Sequence, residues 1–251
     1  MHLTDKALFL SSSLVFIAII FSYKEKINLE KDIIIGALRA VVQLLVVGYF
    51  LSYIFSIDSF IFTTIILLFM IFNASRTSAK KAKYIKNIQS ISFISIALGS
   101  FITLAILILT DALVYTASQI IPVAGMIISN SMVALSLAFK NMDKSFKEKS
   151  VEIETKLSLG ADIKKASMDI IRDSIKTGMV PTIDSSKTLG IVSLPGMMSG
   201  LILAGVNPLD AVKYQIMVTF MLISTTSIAS FIASYLAYKS FFNERNQLIY
   251  S

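Results

Sequence analysis

The 251 residues include no cysteine and no tryptophan, and the one histidine, His2, stands next to the first residue. Without thiols the chain can form no disulfide, thiolate metal site or cysteine nucleophile. A lone terminal imidazole excludes His-based catalytic dyads and imidazole zinc sites from the interior; His2 itself is read as inert. Charge is scarce too, at 16% of residues, which is too little for an ordinary soluble surface. No segment matches G-x-x-x-x-G-K-[ST], so this chain carries no nucleotide-binding loop of that kind. There are only four prolines, and each one therefore punctuates the chain.

What is abundant is apolar surface: 55% of residues are hydrophobic and the mean hydropathy is +0.75. Runs of about 17 to 23 apolar residues suffice to cross a hydrocarbon core of about 30 Å. The expected fold is all-α, a polytopic transmembrane helix bundle of about seven spans, forming one permease-type domain over 1–251. The spans fall near 7–23, 33–55, 59–74, 91–110, 119–139, 184–205 and 212–238. The first run, Ala7 to Phe21, is read as a retained span rather than a signal peptide.

The loops alternate in basic charge. Lys24, Lys26 and Lys31 lie in one; Arg76, Lys80, Lys81, Lys83 and Lys86 in another; the 140–187 segment is richest, and Lys239 and Arg245 end the chain. The intervening loops near 56–58 and 110–118 hold no Lys or Arg. By the positive-inside rule the rich set is cytoplasmic, with the N-terminus outside and the C-terminus inside a multi-pass cell (inner or plasma) membrane protein. The net charge of +7 is then a topology signal. No basic stripe is interleaved with stacking aromatics, and no nucleic-acid partner is expected.

Polar groups within spans are functional candidates. Gln43 and Asn130 each lie roughly 15 Å deep by helical rise. They either line a substrate path or hydrogen-bond between helices. The sixth span is expected to break at Pro195-Gly196, followed by Met197, Met198 and Ser199, and the fifth at Pro122 and Gly125. Spans interrupted in this way point to a midplane binding site. Arg39 is shallow enough to snorkel. Pro181 and Asp184 form a candidate gating corner, with Asp184 capping a helix that begins at Ser185.

The one long polar segment, 140–187, reads as a cytoplasmic helix–turn–helix. Val151, Ile153 and Leu157 share a helix with Glu152 and Lys156, spaced for an ion pair. The chain then turns at Leu159-Gly160-Ala161, and Asp162 caps a second helix carrying Ile163, Ala166, Ile170 and Ile171. The stretch EIETKLSLGADIKKA, Glu152 to Ala166, looks like the loop by which ABC-transporter membrane subunits engage their ATPase. The match then widens. IRDSIKTGMVPTIDSSKTLGIVSLPGMMSGLILAG (171–205), AVKYQIMVTFMLIST (211–225), FNASRTSAKKAKY (72–84) and IIPVAGMIISNSMVA (120–134) resemble the iron-export permease family of ABC transporters, over nearly the whole chain.

That resemblance implies a permease homodimer bound to two copies of a cognate ABC ATPase, exporting iron in bacterial members. It assigns Glu152, Glu154, Leu157, Leu159, Gly160, Ala161 and Asp162 to ATPase coupling. ATP and Mg would be bound by the partner subunit, no cofactor by this chain, and this chain would not itself be an enzyme. Plant relatives of the family are associated with aluminium tolerance and nucleotide-sugar transport, so another metal, a metal chelate or a nucleotide sugar is the alternative cargo. An ion-coupled secondary transporter would want ionisable groups buried within spans, and only Arg39 and Asp184 approach that. An intramembrane serine protease would need a base for Ser199, which has no histidine to pair with.

Overall fold

The computed structural model describes residues 10–57 and 59–249, leaving out the side chains at 52, 53, 56 and 57. His2, the first residues of the expected first span and Asp58 lie outside the described residues. All regular elements among the described residues are helical: α1 Ser13–Lys24, α2 Glu30–Ile57, α3 Phe60–Ala79, α4 Ile88–Leu109, α5 Ala117–Glu148, α6 Ser150–Ser158, α7 Ile163–Thr188, α8 Gly196–Leu203 and α9 Pro208–Ala237, ending in a 3-10 turn, Tyr238–Phe241. Five of them (α2, α3, α4, α5 and α9) are long and apolar enough to cross a membrane. The protein is a polytopic helical bundle. Helix α1 lies within the first expected span, and the sixth expected span is not one helix.

The chain divides into two compact units, 1–58 and 59–251. In the first, α1 and α2 are joined by a tight turn with Lys26 and Asn28 in the left-handed region. Buried Ser22 fastens it: its hydroxyl donates to the Glu30 carboxylate at 2.8 Å and accepts the Leu29 N–H at 3.0 Å.

In the second unit α5 is the central element, packed against α3, α4, α7 and α9. One of its faces is fully buried through Ile120, Ala124, Ile127, Leu135, Phe139, Met142 and Phe146. Small residues bring the other helices close, as membrane helices require where lipid offers no hydrophobic drive to associate. Gly99 of α4 lies against the Thr225 carbonyl and Ala229 of α9, and the Thr103 and Thr225 hydroxyls meet at 2.6 Å. Gly178 of α7 lies so near the Ala134 carbonyl of α5 that a Cβ there would come within 2.8 Å of it.

The basic loops of this unit gather at one end. The Lys83 N–H donates to the Asp143 carboxylate near the end of α5 at 2.8 Å. Phe146 stacks on Phe241 of the C-terminal segment, with centroids 4.0 Å apart. Ser240 donates to the Lys86 carbonyl. The loop after α3, the turn between α6 and α7 and the chain end therefore share one end, as the charge pattern requires of loops on one membrane face.

Three local expectations are corrected. α5 runs unbroken through Pro122 and Gly125. α7 runs unbroken through Pro181, so Pro181–Lys187 is no corner and Asp184 caps nothing; it sits in an exposed penultimate turn, paired with Lys187 at 3.0 Å. The break comes earlier than Pro195-Gly196. It begins at Leu189, which is extended, and turns at Gly190, whose φ of +80° only glycine adopts readily. The Thr188 carbonyl accepts from Val192 and the Gly190 N–H donates to the Ser193 carbonyl, which closes the loop. Pro195 then caps the start of α8. At eight residues, or about 12 Å, α8 is too short to span. It turns back at Gly205 (φ +91°) into α9.

Candidate functional site: an exposed elbow joined by one helix to a polar pocket

The elbow forms as the sequence predicts. α6 ends in a Schellman closure: the Gly160 N–H donates to the Leu157 carbonyl at 2.9 Å and the Ala161 N–H to Lys156 at 3.0 Å. Gly160 has a φ of +89°. Asp162 caps α7, accepting the Lys165 N–H at 2.6 Å. Ile153, Ala166, Ile170 and Ile171 are buried and hold the two helices together. Lys156 bridges Glu152 at 2.7 Å and Asp169 of α7 at 3.0 Å. Hydrogen bonding to Glu152 and then Asp169 pushes the Lys156 ammonium above its ordinary pKa, and hydrogen bonding to Lys156 holds Asp169 below the usual carboxylate range.

This framing leaves the tip bare. Leu159 is 83% exposed and Val151 75%, while Leu157 is half-buried. Glu154, Leu157 and Ala161 also border a groove of about 950 Å³ whose other wall is the C-terminal segment with Arg245 and Leu248. Neither the Leu159 nor the Val151 side chain is needed to hold the turn, which Ile153, Ala166, Ile170 and Ile171 brace from behind.

At the far end of α7 lies a pocket of about 270 Å³ enclosed by α5, α7, the 189–195 loop and α9. Asn130, Pro181 and Pro195 line it as candidates read from sequence. Thr182, Ser185, Ser186, Gln215 and Thr219 line it too, and sequence reasoning missed them. From sequence the last span is expected to start near residue 212, which puts Gln215 at its rim. The helix begins at Pro208, which puts Gln215 about 10 Å inside its end. The i, i+4 polar pair Gln215/Thr219 in an apolar helix was the available signal.

The polar lining is uncharged, made of amides and hydroxyls. Ser186 donates to the Thr182 carbonyl at 2.7 Å and Thr219 to the Gln215 carbonyl at 2.8 Å. Asn130 Nδ2 donates to the Met126 carbonyl at 2.8 Å. These three protons are committed to each group's own helix, so the Ser186, Thr219 and Asn130 oxygens remain as acceptors, while the second Asn130 N–H and the Gln215 amide N–H groups remain as donors. The Gln215 Oε1 atom is buried with no hydrogen-bond partner, a cost of about 1–3 kcal/mol unless a ligand relieves it. A cluster of neutral acceptor oxygens can receive a hard cation, a hydrated cation or a hydroxyl-rich ligand.

The remaining candidates fall elsewhere. Gln43 lies on α2 in the first unit and is exposed there. Met197 borders a second cavity, described below, whereas Gly196, Met198 and Ser199 occupy the first turn of α8 and border neither cavity. Among the described residues no group of three or more His, Cys, Asp or Glu could hold a metal.

Known proteins place the chain. No solved structure matches it. It is 50% identical over 248 residues to the probable iron export permease protein FetB of Escherichia coli K12, covering 99% of this chain and 96% of that protein. It is 37% identical to the UPF0014 membrane protein YjkA of Bacillus subtilis 168, over 96% of this chain and 97% of the relative. With the Arabidopsis thaliana protein ALUMINUM SENSITIVE 3 it shares 32% identity over 93% of this chain and 86% of the other. The family described as uncharacterised protein family UPF0014 matches residues 6–242, and the chain, a multi-pass membrane protein, belongs to that family.

Proposed function

We propose that this chain is the membrane permease subunit of an ABC transporter, working as a homodimer with two copies of a separate ATPase and exporting iron across the inner or plasma membrane. ATP and Mg belong to the ATPase; the work done here is mechanical. The orientation has the N-terminus outside and the elbow and C-terminus in the cytoplasm.

The observation that carries this reading is α7. One uninterrupted helix is capped at the elbow by Asp162 and reaches the polar pocket at Pro181, Thr182, Ser185 and Ser186. Thr182 lies 20 residues beyond the cap, or about 30 Å at the helical rise. An ATPase cleft gripping Leu159 and Val151 would move the cap, and a rigid rod hands that displacement to the pocket wall without an intermediate joint. The rod meets its first soft point at the pocket's own wall, at Leu189-Gly190. Closure of the motor would thus reshape the cavity between α7 and α9 while α5 stays fixed in the core.

The name of the Escherichia coli relative, at 50% identity, supports iron as cargo. The neutral oxygen lining supports loose, releasable binding of a hydrated or chelated ion. The name of the Arabidopsis relative favours a second reading, another hard metal or its chelate, in the same machine. Inverted membrane vesicles carrying the permease with and without its ATPase, supplied with radioactive iron and ATP, test the proposal. Uptake should require both proteins and ATP. Uptake by the permease alone, or none with both, overturns iron export by this mechanism.

A further inference from the structure

A second cavity of about 500 Å³ lies on the same side of α5, at the end opposite the elbow. Its lining includes Met126 of α5, Met197 of α8 and Met217 of α9. Three of the chain's eleven methionines thus border one cavity, each supplied by a different helix. Methionine usually serves to close irregular gaps in a core; these three surround a space that stays open. All three are half-buried and pack against the core, so each is anchored from behind.

The other polar groups here are Gln119, whose Oε1 accepts the Val114 N–H at 3.0 Å, Ser118, whose hydroxyl lies 3.4 Å from that of Thr116, and the phenol of Tyr214; the three thioethers stand beside them. No carboxylate, imidazole or thiolate borders the cavity. A neutral, sulfur-rich donor set discriminates against hard and borderline divalent ions and favours soft monovalent ones.

We propose that Met126, Met197 and Met217 form a binding site for a soft monovalent cation, copper(I) by its chemistry. The site is a neighbour of the polar pocket. Met126 and Asn130 are one helical turn apart on α5, and Asn130 donates to the Met126 carbonyl. Pro195 borders the polar pocket and Met197 the sulfur cavity, so the start of α8 separates the two. Oxygen donors and sulfur donors therefore follow one another along the groove between α5 and α9, sorting ions by softness within one chain.

Binding needs neither ATP nor a partner, so this inference stands or falls apart from ABC transport. The purified full-length chain in detergent is titrated with Ag(I), a redox-inert stand-in for copper(I), and retained silver is measured after desalting. Competition by copper(I) and by Fe(II) is measured alongside. About one silver per chain is expected, displaced by copper(I) and not by Fe(II). Met126→Leu with Met217→Leu, which conserves volume and keeps the fold, should weaken binding about tenfold or more. Undiminished binding by that variant, displacement by Fe(II) as readily as by copper(I), or no silver retained by the parent chain each overturns the site.

Discussion

Gln215 and Gly178 border the same pocket and make opposite predictions. The Gln215 side-chain oxygen is buried without a partner, so Gln215→Leu removes a desolvated acceptor and should leave thermal stability in detergent unchanged or raise it. Iron transport should fall, because the polar side chain that borders the pocket is gone. Loss of stability together with transport would make Gln215 a packing residue. Gly178→Val should destabilise by about 1–3 kcal/mol. A Cβ there meets the Ala134 carbonyl at 2.8 Å and Ser230 Oγ at 2.9 Å, and a backbone oxygen in the middle of a helix cannot step aside. That clash outweighs the gain of about 0.5–1 kcal/mol that a side chain usually brings to a helical glycine. Its check is the melting temperature, with a drop expected even before any cargo is added.

At the scale of elements, α7 is where sequence and structure agree at one end and part at the other. The elbow was legible because each of its parts is a local signal: Gly160 for the left-handed turn, Asp162 for the cap, Glu152 and Lys156 at ion-pair spacing. The pocket end was not, since prolines were read as breaks. Pro181 withholds one donor from α7 and the helix continues, held by neighbours on α5 and α9. Gly190, in the left-handed region, is the true stop; a bare glycine followed by Ile191 and Val192 looks in sequence like more of an apolar span. If α7 is a rod, kinking it should separate docking from transport. Lys176 is an exposed position between the elbow and the pocket, and Lys176→Pro costs about 3 kcal/mol of helix. The variant should still insert and co-purify with the ATPase through its intact elbow, yet move no cargo. Leu159→Glu should do the reverse, melting normally because the side chain is 83% exposed but failing to co-purify. Transport by the kinked variant at the parent rate would show that force does not travel along α7.

For the whole molecule, α2 poses the remaining question. Within the first unit α1 leaves residues 30 to 51 of α2 unburied, and the middle of this apolar helix carries Gln43. An amide in hydrocarbon without a partner is costly, whereas two amides meeting across a pair of helices gain about 1 kcal/mol. Gly36 has nothing within 4 Å of where its Cβ would be. With Ala40 it forms a small-x-x-x-small spacing one and two turns before Gln43, the pattern along which membrane helices approach closely. Two copies of α2 related by a two-fold axis would satisfy both features at once, each Gln43 bonding the other. The absence of cysteine makes the test direct, because one introduced thiol is the only thiol. Gln43→Cys should cross-link in native membranes to a species of twice the chain's mass under mild oxidation. Leu45→Cys, turned about 200° around the helix, should stay monomeric. Equal cross-linking at the two positions would mean random collision, and none at Gln43 would rule out this pairing of α2 with a second copy and return the amide to the list of candidate path residues.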